Sequence, residues 1–234
     1  MTFFLPNSKF TEKHFKQIWQ GIDDEKLNHV TKVCYPAVTE IEDLHLPKKN
    51  IILVLSRIEK SKYLETLIDA YKSSNYLTKN YKLIIAGGLT KSLENYRAEL
   101  ESRANGTNIE FIVNAPFSKI TELYNKASIF WHCKGFEINE DKTPELMEHF
   151  GMSTVEAMSA GCVPIVINAA GQKETVTEEC GYRWNTVEEL VRYTEKIAQN
   201  LEKMKEMSET AKGRSKLFTM NSFIVNMKRI LSVL

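Results

Sequence analysis

The sequence has little of what marks membrane, nucleic-acid-binding or metal-dependent proteins. No stretch approaches the roughly 20 consecutive apolar residues needed to span a bilayer. The opening MTFFLPNSKF has neither the basic flank nor the length of a secretory signal. A cytoplasmic location is the expectation, with at most peripheral contact at the cytoplasmic face of a membrane. An excess of one charge is also missing. There are 31 Lys and Arg against 30 Asp and Glu, a net charge of +1 in 234 residues, so no nucleic-acid partner is expected from diffuse attraction. The mild segregation, basic over 204–234 and acidic over 134–148, reads as solvated faces. Cysteine is scarce: Cys34, Cys133, Cys162 and Cys180 are widely spaced, with no C-x2-C pair. That spacing argues against a zinc site or a disulfide framework and for reduced, buried thiols. G-x-G-x-x-G and G-x4-G-K-[ST] are absent too, which argues against a nicotinamide oxidoreductase and a P-loop nucleotide hydrolase.

What is present is alternation. Short β-branched runs at 51–55, 83–86, 109–113, 128–132 and 163–167 are mostly apolar without a period of two, as strands buried on both faces are. Between them Tyr63, Leu64, Leu67, Ile68 and Tyr71 recur at helical spacing, as do Leu93, Tyr96 and Leu100, then Ile120, Leu123 and Tyr124. The pattern predicts an α/β protein with a Rossmann-like parallel sheet and helices on both faces. Three segments follow: a connecting helix and linker over 1–40, the sheet domain over 41–206, and C-terminal helices over 207–234. In the first, 8–20 reads as an amphipathic helix with Phe10, Phe15, Ile18 and Trp19 on its apolar side, followed by a strand-to-turn step at Val33-Cys34-Tyr35-Pro36. In the last, Thr219 or Asn221 caps a helix bearing Phe223, Ile224, Met227, Ile230 and Leu231. Core packing or docking on a missing domain would use that apolar surface.

Ligands of open α/β sheets sit at the carboxyl ends of the strands. There the sequence places Ser56-Arg57, Gly87-Gly88 and Asn168-Ala169-Ala170-Gly171. The most informative stretch is EHFGMSTVEAMSAGCVP, from Glu148 to Pro164. Phe150-Gly151 lets the backbone approach a ligand, and a helix starting near Met152 aims free N–H groups at whatever lies above the strands, which suits a phosphate. Glu156, about one turn into that helix, can return towards the same cleft and accept hydrogen bonds from a diol such as a ribose. Arg57 and Lys62, on one loop after the first strand, can grip a diphosphate, each charge-assisted contact being worth about 1.5–3 kcal/mol. His149 has two readings, a contact to donor phosphate or sugar and a helix-start histidine satisfied by backbone. His132 reads as a core or cleft-wall residue more than a ligand, and Trp131 and Trp184 as core.

SRIEKSK at 56–62, IIAGG at 84–88, FIVNAPFSKITELYNKASIFWHC at 111–133 and EHFGMSTVEAMSAGCVPIV at 148–166 resemble the nucleotide-sugar-binding half of retaining group 1 glycosyltransferases of family four, which have the GT-B architecture. The Glu-x7-Glu motif matches at Glu148 and Glu156. The resemblance implies a hexosyltransferase with catalytic residues Glu148, Arg57 and Lys62. Arg57 and Lys62 would hold the donor diphosphate, Glu148 the sugar hydroxyls and Glu156 the ribose. Backbone groups of Phe150, Gly151 and Met152 would complete the contacts, with Ser153, Thr154, Gly87 and His149 also on the donor and the base near Asn114 and Ala115. No cofactor or metal is implied. The donor would be a UDP- or GDP-sugar, with similarity to GDP-mannose users, and the acceptor a glycan or lipid-linked saccharide. Tyr63 departs from the family pattern, in which glycine commonly follows the lysine. Residues 134–147, with Glu137, Glu140, Asp141 and Glu145, would form a rim or lid. The chain resembles the C-terminal half of such an enzyme, arising by truncation, a split gene or a degenerate copy. It would bind donor and transfer poorly without its N-terminal partner domain. A non-catalytic nucleotide-sugar-binding subunit and a sugar-nucleotide epimerase or phosphorylase-like enzyme of the same architecture are the alternatives.

Overall fold

The computed structural model describes residues 4–19 and 31–232. Of the stretch read as a connection, residues 20–30 lie outside the described residues, as do 1–3 and the last two. Six strands form one parallel sheet: β1 (Lys49–Leu55), β2 (Lys82–Gly87), β3 (Ile109–Val113), β4 (Ala127–His132), β5 (Val163–Ile167) and β6 (Tyr182–Trp184). Their order is β3-β2-β1-β4-β5-β6, the Rossmann arrangement, whose direction of winding reverses between β1 and β4. The helices are α1 (Lys9–Ile18), α2 (Leu64–Ser73), α3 (Asn75–Asn80), α4 (Glu94–Ala104), α5 (Phe117–Lys126), α6 (Met152–Ser159), α7 (Gln172–Thr175), α8 (Val187–Ala198), α9 (Leu201–Ser215) and α10 (Met220–Leu231). The five apolar runs are strands as expected. The sixth, Tyr182-Arg183-Trp184, is too short and too polar to have stood out.

Alternate residues of the central strands explain why those runs lack a two-residue period. Ile52, Val54, Leu83, Ile85, Ile129 and Trp131 enter one buried layer with α2 and α8. Their neighbours Ile51, Leu53, Ile84, Ala86 and Phe130 enter a second layer with Leu123 and Tyr124 of α5 and Ala157 of α6. Successive side chains of a strand point to opposite faces, so a sheet covered on both sides needs apolar residues at every position. Trp131 is buried with its indole N–H on Thr194 Oγ1 at 3.0 Å, Trp184 is buried, and all four cysteines are buried and free.

The flanks differ from expectation in three ways. The α1 helix buries Phe10 and His14, whereas Ile18 is 80% exposed and Trp19 42%. Residues 33–36 form no strand; Tyr35 instead packs on Phe150 and Phe218. The boundary between 206 and 207 falls inside α9, which runs unbroken from Leu201 to Ser215 and packs on α6 and β5. Thr219 caps α10, its Oγ1 accepting from Ser222 N at 3.2 Å. Met220, Ile224, Val225 and Leu231 of that helix are exposed, and Ile230 is buried.

Polar contacts also hold the start of α1. A helix start leaves N–H groups without intrahelical acceptors and carries partial positive charge. Both oxygens of Glu174 fill that need, accepting from Lys9 N and Phe10 N at 2.9 Å each, while Oε2 also accepts from the Tyr35 hydroxyl at 2.8 Å. Glu174→Ala strips all three donors of their acceptor and is expected to release α1 at a cost of about 2 kcal/mol. Hydrogen exchange at residues 9–18 checks it: faster exchange there with the central strands unchanged is the expected result, and an unchanged α1 would disprove the capping role.

Candidate functional site

The reversal between β1 and β4 opens a cleft of about 620 Å³ at the carboxyl edge, within the size range of small-ligand sites. Each wall has a strand or helix behind it. Leu55 ends β1 and Ser56 follows it, Gly87 ends β2 and Gly88 follows it, Asn114 and Ala115 follow β3, His132 ends β4, and Met152, Ser153 and Glu156 come from the first turns of α6, with Lys62 and Glu148 between them. Gly151 starts α6 with φ +95, a left-handed conformation that glycine adopts without a Cβ penalty. The first turn leaves the N–H groups of Met152 and Ser153 without intrahelical acceptors, beside the cleft they line. That is the arrangement by which helix N-termini bind anions.

Glu148 is the centre of charge. Lys62 Nζ lies 3.5 Å from its Oε2 and His132 Nε2 lies 3.4 Å from the same oxygen. Burial works against its ionisation, but the His132 imidazole beside it and the ammonium groups of Lys62 and Lys134 outweigh that and lower its pKa to about 2. The sign of the consequence follows from linkage. A carboxyl group depressed from 4.5 to about 2 contributes stability that is present above 4.5 and is lost as pH falls towards 2. Between pH 5.5 and pH 3 the loss is about 2 kcal/mol. Denaturant unfolding at those two values should show it in the unsubstituted chain and show it reduced by that amount in Glu148→Gln. Equal acid sensitivity in both would disprove the pairing.

Glu156 takes the opposite shift. Burial raises its pKa, opposed by the Tyr124 hydroxyl, which donates to Oε2 at 2.8 Å. Tyr124 is itself fully buried and held well above its ordinary pKa, first by burial and then by this carboxylate. The pair leaves Glu156 lining the cleft with one oxygen committed to the protein.

Of the residues singled out in the sequence, Glu148, Lys62, Glu156, Met152, Ser153, Gly87, Asn114 and Ala115 line one cleft. Others do not join it through their side chains. Arg57 points outward, 72% exposed with its guanidinium on Glu59 at 3.1 Å, and borders an adjoining hollow with Lys134 and Glu145. His149 takes the backbone-satisfied reading: Nε2 meets the Pro144 carbonyl oxygen at 3.0 Å, Nδ1 meets Thr11 Oγ1 at 3.1 Å, and Phe10 lies against the ring. Thr154 is fully buried, its hydroxyl accepting from Gln172 Nε2 at 3.0 Å, because position three of α6 faces the core. Phe150 is buried against Val38, Val155 and Phe218, so only its backbone is available to a ligand. Asn114, although it lines the cleft, has its side chain tied to the neighbouring loop, accepting from Leu89 N at 2.9 Å and donating to Leu89 O at 3.1 Å. The 134–147 segment is pinned as a rim: Glu140 accepts from Ala170 N and pairs with Lys173, and Asp141 pairs with Lys13.

Two residues at the site carried weaker signals. Lys134, two positions past β4, has its pKa lowered by burial, with Glu148 opposing and the charges of Lys62 and Arg57 assisting. His132 carries its signal in its place at the carboxyl end of an apolar run, where ligands of such sheets bind. Tyr63 explains its own departure from the pattern. It adopts φ 52, ψ 42 at the start of α2, a left-handed position where glycine is unstrained. Its ring packs edge-on to Phe136, 6.4 Å between centroids. No group of three or more potential metal ligands occurs among the described residues, and no described helix is long and apolar enough to cross a membrane.

Comparison with known proteins identifies the family. A family model described as glycosyl transferases group 1 matches residues 39–214. A GDP-Man:Man(3)GlcNAc(2)-PP-Dol alpha-1,2-mannosyltransferase of Dictyostelium discoideum is 26% identical over 240 residues, 94% of this chain and 45% of that protein. An alpha-1,3/1,6-mannosyltransferase ALG2 of Candida albicans is 29% identical over 81% of this chain and 50% of its own length. The chain thus spans about half the length of these relatives. Among solved structures, Anabaena Alr3699/HepE in complex with UDP and glucose superimposes with a TM-score of 0.78 at 20% identity, over all of this chain and 64% of that one. The C-terminal domain of the group 1 glycosyl transferase LpcC from Francisella tularensis gives 0.61 at 19% identity, over 80% of this chain and 96% of that domain. The structures share its Rossmann-like fold, the relatives are named transferases, and the family model runs from before β1 to the end of α9 through every strand and every wall of the cleft: the chain belongs to the group 1 glycosyl transferases.

Proposed function

We propose that this chain binds the nucleotide-diphosphate sugar of a retaining hexosyl transfer, with GDP-mannose as donor and a glycan or lipid-linked saccharide as acceptor. The observation that carries the reading is the convergence of Lys62, Glu148, Glu156 and the N-terminus of α6 on one cleft at the reversal of the sheet. Lys62 and the open N–H groups of Met152 and Ser153 suit a diphosphate, and Glu156 suits a ribose diol. Glu148, ionised across the physiological range, suits sugar hydroxyls. GDP-mannose is favoured because the mannosyltransferase relatives carry it in their names.

In the transfer, the bond between the sugar's anomeric carbon and the diphosphate breaks, the acceptor oxygen bonds to that carbon on the same face, and the departing diphosphate takes the acceptor proton. Lys62 stabilises the charge that grows on the diphosphate, aided by Arg57 when its exposed side chain turns in from Glu59. Glu148 orients the sugar. The acceptor would be held mainly by a partner domain.

Calorimetric titration with GDP, UDP and ADP and their hexose conjugates, without added metal, tests the reading. Micromolar binding strongest for the guanosine series is expected. Tighter binding of the uridine series would replace the donor assignment, and no binding to any of them would overturn donor binding by this chain.

A further inference from the structure

One side chain of the cleft, His132, stands outside the Glu-x7-Glu motif. His132 ends β4, which is paired on one side to β1 and on the other to β5, with His132 itself in register with Val166. The residue is 5% exposed, so its ring is held by the strand and the packing around it. Nε2 lies 3.4 Å from Glu148 Oε2. Nδ1 is buried with no hydrogen-bond partner among the described residues. An imidazole in such a place forfeits hydration on that nitrogen, and a buried polar atom left open is uncommon enough to call for a reason.

The reason lies in what Glu148 needs. Its carboxylate stands on an irregular segment between the 3-10 turn Pro144–Leu146 and α6, and a glutamate there has rotamer freedom to lose before it can present a chosen oxygen. Both neighbours approach the same oxygen, Oε2. The two are not equivalent. Lys62 ends a short 3-10 turn on a long flexible stem, and its ammonium faces the same cleft that would take a diphosphate. A donor diphosphate would compete with Glu148 for it. The imidazole also borders the cleft, but it is fixed in a central strand and almost fully buried, so it does not swing away as the lysine stem can.

We propose that His132 is a positioning residue for Glu148: Nε2–H donates to Oε2, holds the carboxylate in place when Lys62 turns to the diphosphate, and leaves Oε1 as the oxygen presented to the donor sugar. The proposal rests on the donor reading above, but the His132–Glu148 pairing can be examined without a donor.

Three variants separate the possibilities. A glutamine amide nitrogen reaches about as far as Nε2, an asparagine one only as far as Nδ1, and alanine reaches neither. Each is titrated with GDP and GDP-mannose, and with UDP and UDP-glucose in parallel. In His132→Ala and His132→Asn, affinity for the nucleotide-sugar is expected to fall about tenfold, as loss of a charge-assisted contact implies, while affinity for the bare nucleotide changes less than twofold. His132→Gln should restore most of it, and His132→Ala added to Glu148→Ala should cost nothing further, since its target has gone. Equal losses on nucleotide and nucleotide-sugar, or additive losses in the double variant, would overturn the proposal. The arm without ligand is 15N NMR of the imidazole. A proton on Nε2 at neutral pH, its resonance moving in Glu148→Gln, is expected; a bare Nε2 with the proton on Nδ1 would refute the pairing. If the unsubstituted chain binds no nucleotide while Nε2 carries its proton, the donor reading fails and the pairing stands.

Discussion

Gly87→Ala is expected to cost the chain upwards of about 4 kcal/mol and with it the cleft, far more than a single methyl group usually costs. Gly87 ends β2 at φ +155, and a Cβ built there would sit 1.6 Å from the carbonyl oxygen of Ser56 and 2.7 Å from its carbon. Both are backbone atoms of the segment that ends β1, so no rotamer change relieves the overlap; the two strand ends must separate. They are held together by Ser56 N donating to Ala86 O at 3.1 Å and Ile58 N donating to Gly88 O at 2.8 Å. On the other side Asn114 N donates to Gly87 O at 3.0 Å. Separation therefore breaks the loops that hold Lys62 and Asn114 around the ligand space. Denaturant unfolding reads the stability and calorimetry the nucleotide affinity. Gly88→Ala is the control, since its nearest neighbour, Asn114 Oδ1, would be at an ordinary 3.9 Å. A Gly87→Ala chain as stable as Gly88→Ala would mean that the close approach of these loops is not required.

How much of this could be read from the residues depends on the range of the forces involved. The sheet was legible because a strand covered on both faces must be apolar at consecutive positions, a signal within each run such as 51–55 or 163–167. The Tyr182–Trp184 strand carried no such signal, being an edge strand of three residues with an arginine at its centre. The cleft was legible where position alone fixes the outcome. Glu148, Glu156, Met152 and Ser153 belong to the turn and helix at one strand end, and the topology brings Lys62 and Asn114 beside them. Side-chain direction was not legible, because distant neighbours set it. Arg57 turns out to Glu59, His149 is claimed by Thr11 and the Pro144 carbonyl, and Thr154 is taken by Gln172. The α1 helix makes the same point. Its stripe of aromatic residues marked the helix and its apolar side, but not the Glu174 carboxylate, more than a hundred residues away, that accepts from its first N–H groups.

The two carboxylates of the cleft carry opposite shifts, and in the proposed reading Glu156→Ala tests the half that would hold the nucleoside. Burial raises the pKa of Glu156, so folding disfavours its ionised form. Above its ordinary pKa, and so at neutral pH, the carboxylate is a net cost to the fold, and that cost disappears as pH falls below 4.5 and the group is protonated in both states. Removing it leaves the Tyr124 hydroxyl with the Ser153 carbonyl oxygen at 3.3 Å as acceptor. Stability at neutral pH should therefore stay within about 1 kcal/mol of the unsubstituted chain. Affinity for the nucleotide should not. A ribose diol that gives two hydrogen bonds to a desolvated carboxylate loses both acceptors, a loss of about 2–4 kcal/mol, or roughly 30- to 1000-fold in Kd. A nucleotide lacking both ribose hydroxyls should bind the unsubstituted chain as weakly as the intact nucleotide binds Glu156→Ala, and should bind the variant no worse than the intact nucleotide does. Undiminished affinity in Glu156→Ala would remove the ribose from this carboxylate. A matching loss of stability would make Glu156 part of the scaffold instead, with Tyr124 as the residue it serves.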